Sequence, residues 1–396
     1  MDGHPTHLVE RMREFGTTIF AEMSALAVAT GAINLGQGFP DTDGPSEIMD
    51  EAVAAIRAGD NQYPPGNGVP TLRSAIAEHQ RRFWGLEYDP DTEVFVTVGA
   101  TEALAATLLG LCEPGDEVVT FEPYFDVYAA AIALAGAHRR VVTLRPPRAP
   151  GETDYSFDPD AFRAAISPRT RAILLNSPHN PTGKVFTRDE LTFIAEVCVA
   201  HDLICITDEV YEHLVFDGEH VPMATLPGMR ERTVLISSAG KSFSVTGWKT
   251  GWVCAPAPLL AAVRTVKQFL TYSSSAPFQR AAAVGLRLGD AYFAEHARTL
   301  AAKRDLLSDG LAAAGFEVFR PSGTYFVTVD ITPLGETDGL AFCRSLAGRV
   351  GVVAVPCVVF YDDKAEGLPL VRFTYCKRDE ILVEAVERLA GLRGNR

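Results

Sequence analysis

The chain of 396 residues is long enough for two domains, and 47% hydrophobic with 22% charged residues is the balance of a folded protein, not a disordered one. A formal net charge of -14 repels nucleic acid and anionic membrane surfaces, which excludes both as partners and requires any anion to be bound locally. The seven cysteines form no CxxC pair and mostly sit in apolar runs such as LICITDEV, the pattern of reduced thiols in a cytoplasmic protein.

The opening MDGHPTHLVERMREFG places acids and histidines where a signal peptide carries basic residues and an apolar core, so no secretion signal is expected. No run of about 18 apolar residues occurs, which argues against a membrane span. Residues 1–45 give one helix-like segment and the loop NLGQGFPDTDGP, whose glycines and prolines suit an extended arm or crossing strand. From residue 93 short β-branched runs alternate with helix-length stretches: EVFVTV, a helix over 101–112, EVVTFE, a helix over 125–136, then RRVVTL. After the surface loop RPPRAPGETD, the pattern continues with a helix near 158–166, the strand RAILLN, and a helix capped by Thr187 with Glu190 three residues on. LICITD, TVLISS and GWVCAP follow. Continuous apolar strands separated by helices predict an α/β large domain, a mostly parallel sheet covered by helices, over 46–289. After residue 290 a long helical stretch and three short strands predict a smaller α+β domain over 290–396, which residues 1–45 join as arm and part.

In such sheets ligands bind beyond the carboxyl ends of the strands. There the sequence places Gly99, Ala100 and Thr101 after VFVTV, Asn176 and Asn180 after AILL, Asp208 and Tyr211 after LICIT, and Ser238 and Lys241 after VLIS. Singly, these are ordinary caps and turn residues. Together, an amine, a carboxylate, a phenol, an amide and a helix N-terminus are the groups that hold pyridoxal phosphate. The GKS at 240–242 resembles the end of a phosphate-binding loop, but position 235, where that motif needs its first glycine, is Leu. GQGFPD lacks the third glycine and the helix of a dinucleotide fingerprint. The histidines show no HExxH and no cluster with cysteine, so no metal is expected, and His179, His213 and His220 are expected to be solvated or structural. No segment suits a DNA-binding helix pair, which leaves no support for a cofactor-sensing regulator.

Seven ordered motifs carry a resemblance over nearly the whole chain: NLGQGFPD, NQYPPGNGVPTLR, VTVGATEA, EPYFDVY, NSPHNPTGKVF, DEVYEHLVF and SSAGKSFSVTGWKTGW, with GTYF and VRFTYCKRD beyond them. The sequence resembles the class I aminotransferases of the fold-type I pyridoxal phosphate enzymes, in the branch with kynurenine/glutamine transaminases and N-succinyldiaminopimelate aminotransferases. The resemblance implies that Lys241 binds the cofactor aldehyde and later shuttles the Cα proton, which needs a pKa below the usual ~10.4. It implies that Asp208 pairs with the pyridine nitrogen, that Tyr211 and Asn180 hold the ring oxygen with Asn176 close by, and that Phe125 stacks on the ring, Tyr124 being a weaker match. Gly99, Ala100, Thr101, Ser238 and Lys249 would cradle the phosphate, and Tyr63 would reach the phosphate of a neighbouring subunit, making a homodimer with shared sites. Arg372 would hold the substrate carboxylate through a guanidinium fork. Gly38 would let the backbone approach that carboxylate, and Phe20, Tyr272, Ser273 and Tyr325 match positions near the substrate side chain.

The activity implied is transfer of an amino group from an L-amino acid to a 2-oxo acid such as 2-oxoglutarate or pyruvate, a cytoplasmic step of amino acid metabolism. Candidate donors are N-succinyldiaminopimelate and amino acids of the kynurenine, glutamine or methionine type. The nearest rival is a cysteine-conjugate β-lyase. A succinylated donor calls for a second cation, for which Arg280 is a candidate by proximity to SSSAPFQ.

Overall fold

The computed structural model describes residues 7–149 and 151–392. The first six residues of the expected arm, Pro150 of the surface loop and the last four residues of the C-terminal unit lie outside the described residues. Among the described residues no helix is long and apolar enough to cross a membrane.

The strands in chain order are β1 (Ile33–Asn34), β2 (Val94–Val98), β3 (Glu117–Glu122), β4 (His138–Thr143), β5 (Thr170–Asn176), β6 (Ile204–Asp208) and β7 (Thr233–Ser238). They continue as β8 (Thr250–Cys254), β9 (Glu317–Phe319), β10 (Phe326–Asp330), β11 (Val352–Val353), β12 (Val355–Pro356) and β13 (Leu370–Thr374). Seven of them form one sheet in the order β2-β8-β7-β6-β5-β3-β4. All its pairings are parallel except those of β8, which runs against both β7 and β2. The reason is the connection: residues 239–249 hold only a helical turn and a 3-10 turn, whereas a parallel crossover takes about a dozen or more residues. Alternate residues of the central strands enter opposite cores, Ile173 and Leu175 of β5 on one face and Ala172 and Leu174 on the other. Helices cover both faces, so these strands are apolar on both sides, as their continuous runs predict.

A second sheet, antiparallel, runs β12-β13-β10-β9. The N-terminal segment behaves as a crossing strand: after the helix Ile19–Thr30, β1 pairs parallel with β11. One hydrophobic cluster runs without a break from Phe121 and Phe186 beside the large sheet to Phe319, Phe373 and Leu389 around the small one. The two sheets therefore share one apolar core, and the last residues of β6 and β7 line a cavity together with Arg372 of β13.

Candidate active site

The end of β2 makes an anion cradle. Gly99 takes a left-handed φ of 70° and opens the helix Gly99–Leu111. Glu102 reaches back to accept the Val98 N–H at 2.6 Å, leaving the first-turn amides of Gly99, Ala100 and Thr101 without intrahelical acceptors. Lys249, itself left-handed at φ 53°, brings Nζ to 3.4 Å from Thr101 Oγ1. This closeness depends on Gly251, where a Cβ would lie 2.5 Å from Gly99 C and 2.7 Å from the Ala100 nitrogen. Ser238, at the end of β7, lines the same cavity of about 370 Å3.

The ends of β5 and β6 supply the acid, the amide and the phenol. Asn176 donates from Nδ2 to the Asp208 carbonyl at 2.8 Å and accepts the Asn180 N–H at 2.7 Å. Asp208 accepts the Tyr128 hydroxyl at 2.7 Å, and burial pushes its pKa up to about 6 against that bond. Burial holds the Tyr211 phenol neutral, its ring edge-on to Tyr325 with centroids 5.3 Å apart. Lys241 Nζ stands 5.8 Å from the Tyr211 ring and 5.6 Å from the Tyr325 ring. Removal of its ammonium from water lowers the Lys241 pKa to about 8, although Cys376 and Asp208 pull it the other way. Lys241 sits in the four-residue helical turn Ala239–Ser242 that follows β7 directly.

Across the cavity stands Arg372 of β13, 1% exposed. Nη1 donates to Asn180 Oδ1 at 3.0 Å and Nη2 to the Gly36 carbonyl at 2.9 Å, while Nε has no partner. The guanidinium carbon lies 4.0 Å from the Phe326 ring centroid and 5.1 Å from that of Phe20. Among the described residues no carboxylate pairs with Arg372 in a salt bridge, and burial lowers its pKa. A buried cation without an acid partner is a standing site for an anion. Gly38 has no room for a side chain, since a Cβ would fall 2.4 Å from the Phe326 ring. Tyr325 fixes that stretch by donating its hydroxyl to the Gly38 carbonyl at 2.7 Å.

Of the residues singled out from the sequence, Phe20, Gly38, Gly99, Ala100, Thr101, Phe125, Asn180, Asp208, Tyr211, Ser238, Lys241, Lys249 and Arg372 line one cavity. Others do not. Asn176 is not among the lining residues, its amide being committed to Asp208 and Asn180. Tyr325 lines an adjoining cavity on the far side of Lys241, with Cys376 and His296. Tyr63 and Tyr272 lie outside, 82% and 53% exposed, their rings 5.5 Å apart and edge to face. Ser273 is likewise absent from the lining, and Tyr124 donates its hydroxyl to Asp362. Arg280 is not among the lining residues either, its guanidinium being held by Glu51 at 2.6 Å and Asp60 at 2.7 Å. The three histidines expected to be solvated or structural are structural. His179 bonds Thr182, His213 bonds His79, and His220 bonds Glu209.

Sequence reasoning missed Tyr128, Gln37, Phe39, Leu104, Thr246, Thr250 and Phe326, all of which line the cavity. Tyr128 carried a usable signal, since it stands one helical turn after Phe125 at the start of the helix Asp126–Leu134. The others are apolar, hydroxyl or, for Gln37, amide residues whose type alone does not separate lining from packing.

The arrangement fits pyridoxal phosphate group by group. A buried acid that lacks a cation, an amine of lowered pKa, an anion cradle at a helix N-terminus and an aromatic wall lie around one cavity of suitable size. Comparisons with known proteins agree. Residues 30–389 match the family model for aminotransferases of class I and II. The fold superposes with a TM-score of 0.94 on the N-succinyldiaminopimelate aminotransferase of Mycobacterium tuberculosis, 53% identical, covering 97% of this chain and 100% of that one. The chain is 39% identical to the methionine aminotransferase of Escherichia coli, over 99% of this chain and 100% of the relative. It is also 39% identical to the mouse kynurenine–oxoglutarate transaminase 3, over 96% and 88%.

Proposed function

The chain belongs to the class I and II aminotransferases, enzymes that use pyridoxal phosphate, and with that as premise we propose which of its residues carry the reaction and which donors they favour. The bound cofactor supplies the electron sink for the bond broken at the donor's Cα. Lys241 supplies the amine that holds the cofactor aldehyde and then takes and returns the Cα proton at Nζ. Its lowered pKa suits both tasks near neutral pH. Asp208 holds the cationic ring nitrogen, Tyr128 orients Asp208, and Asn180 and Tyr211 hold the ring oxygen. The amides of Gly99, Ala100 and Thr101 hold the phosphate with Ser238 and Lys249. Arg372 takes the donor carboxylate, and Asn180 and Gly36 fix the orientation of its fork.

The observation that carries the donor preference is the list of cations. The cavity holds three, Lys241, Lys249 and Arg372, each with a task already assigned, and Arg280 is bound to acids elsewhere. A neutral side chain of the methionine, glutamine or kynurenine type meets Phe20, Phe39 and Gln37 without an unanswered charge. A succinylated donor, the second reading, is favoured by the 53% identity to the Mycobacterium tuberculosis enzyme and calls for a cation from a second subunit. Single-turnover loss of the cofactor's visible absorbance across a donor panel separates the two. Methionine and kynurenine are expected to react faster, and the opposite order overturns the preference. Stoichiometric formation of a 2-oxo acid with an acceptor supports transfer. Acceptor-free release of pyruvate from a cysteine conjugate supports the β-lyase alternative.

The same reading makes the working unit a cytoplasmic homodimer in which Tyr63 serves the neighbour's phosphate. Its support is the exposure of Tyr63, Tyr272 and Phe269, the last 84% exposed, and the seven free, buried cysteines. It also divides the chain into a cofactor unit over 46–289 and a small unit over 290–396 completed by part of 1–45, for which the pairing of β1 with β11 is the support.

A further inference from the structure

Behind the turn that carries Asp208 and Tyr211 the chain buries two more acids that the reaction does not use. Glu209 and Glu212 are each 2% exposed, and neither is in a salt bridge with Lys or Arg. Glu209 meets His220 Nε2 at 2.8 Å. Glu212 accepts twice, from the Ser237 hydroxyl at 2.8 Å on Oε1 and from the Trp84 indole N–H at 2.7 Å on Oε2. Trp84 ends the helix Pro70–Trp84, while Ser237 lies on β7 just before Ser238 and the turn of Lys241. One carboxylate thus joins three elements directly beneath the site.

Its surroundings make this an unfavourable place for a charge. Glu209 and His213 flank it on its own turn, His220 follows, and His79 faces it from the helix. Burial raises the Glu212 pKa to about 7. His79, His213 and Glu212 bring ligand atoms within 4.8 Å of one another, a spacing that admits a metal. Yet the two imidazoles bond each other at 2.7 Å and both Glu212 oxygens are taken by Trp84 and Ser237, so these ligand atoms are already engaged, although His79 Nδ1 has no partner among the described residues. The backbone is strapped in the same direction: the Glu209 N–H reaches the Ile236 carbonyl at 2.8 Å, and the Glu212 N–H reaches the Glu209 carbonyl at 2.9 Å.

We propose that Glu212 is a positioning residue whose carboxylate locks the 208–212 turn against β7, so that the Asp208 carboxylate and the Tyr211 hydroxyl stand in fixed relation to Lys241. The inference rests on the roles given above to Asp208 and Tyr211. A loosened turn weakens the hold of Tyr211 on the cofactor's ring oxygen, which raises the pH midpoint of the bound cofactor's visible band and lowers cofactor affinity.

The test compares Glu212→Leu, Glu212→Gln and Ser237→Ala, with Tyr211→Phe as reference, in three measurements: the pH midpoint of the visible band, the affinity of the cofactor-free chain for pyridoxal phosphate, and the unfolding temperature. Ser237→Ala removes one bond and leaves the acid in place, so it reports even where Glu212→Leu does not fold. Glu212→Leu and Ser237→Ala are expected to raise the midpoint by about one pH unit. They are also expected to weaken cofactor binding roughly tenfold, the lower end of what loss of a supporting partner behind a bound group does at metal sites. Glu212→Gln stays near the parent, because its amide oxygen accepts from Trp84 and its N–H donates to the Ser237 oxygen. If Tyr211→Phe shifts the midpoint while folded Ser237→Ala shifts neither midpoint nor affinity, the positioning role is overturned alone. If Glu212→Gln loses as much as Glu212→Leu, the carboxylate's charge matters and the positioning role is overturned. If Tyr211→Phe shifts nothing, the role of Tyr211 falls and this inference with it.

Discussion

At the scale of single residues the site works by placing charges where water cannot reach them. The Lys241 amine, lowered to about 8, is partly unprotonated at neutral pH, whereas an ordinary lysine at ~10.4 is almost wholly an ammonium. Capture of pyridoxal phosphate by the cofactor-free chain is therefore expected to accelerate with rising pH, with its midpoint near 8, and to level off about one unit above that. A stopped-flow pH series checks this, and acceleration that continues to 10 contradicts it. Asp208 is shifted in the opposite sense. Its folded pKa of about 6 exceeds the unfolded value near 3.9, so the stability linked to it is fully present below ~4 and is lost as pH rises through 6. Asp208→Asn is expected to flatten the cofactor-free stability curve across that window, as measured by urea unfolding at several pH values. On the role proposed for Asp208, Asp208→Ala in the loaded enzyme leaves a ring cation unanswered, a loss of about 3–5 kcal/mol, which is expected to slow single turnover roughly hundred-fold or more. An effect under tenfold removes Asp208 from the role given to it.

At the scale of elements, the helix Arg188–Ala200 starts with the capping box expected from its sequence. The Glu190 N–H donates to Thr187 Oγ1 at 3.2 Å and the Thr187 N–H to Glu190 Oε2 at 2.8 Å. Thr187→Ala should lower stability by about 1 kcal/mol in denaturant melts and leave turnover unchanged, because neither residue lines the cavity. Gly251 presents the reverse case. Its missing Cβ lets β8 press on the first turn of the helix Gly99–Leu111, so Gly251→Ala is expected to displace the amides proposed to hold the phosphate. Cofactor affinity is expected to fall at least tenfold, or about 1.4 kcal/mol, and the unfolding temperature to fall with it, because the added Cβ meets backbone that must shift. Unchanged affinity by absorbance titration would mean that the cradle does not depend on this contact.

At the scale of the whole molecule, Tyr63 and Tyr272 are exposed with their rings edge to face, Phe269 is exposed as well, and Tyr63 is not among the residues that line its own chain's cavity. A mixture of Lys241→Ala chains with Tyr63→Ala chains is expected to recover activity after refolding together, since a hybrid pair holds one site with both residues native. No recovery above the separate variants argues against a shared site. Much of the architecture was legible beforehand: the apolar runs of β3, β5, β6 and β7 are strands because each is buried on both faces, and the polar residues at their ends converge because parallel strands end on one edge. The direction of β8 was not, since GWVCAP reads alike in either sense. Nor was the commitment of Arg280 to Glu51 and Asp60, which depends on helices far apart in the chain.

The sequence by itself determined the chemistry on offer: an amine, an acid, a phenol, an amide and glycines at the strand ends, each recognisable because a local motif of a few residues specifies both its type and its turn. Only the tertiary structure decided how those groups are used. Arg372 meets Asn180 across 192 positions, Tyr128 reaches Asp208 across 80, and Asn176 turns away from the cavity to brace its neighbours. Burial and partners follow from contacts between distant segments, and the pKa of Lys241, the orphaned charge of Arg372 and the strain of Glu212 all come from burial and partners.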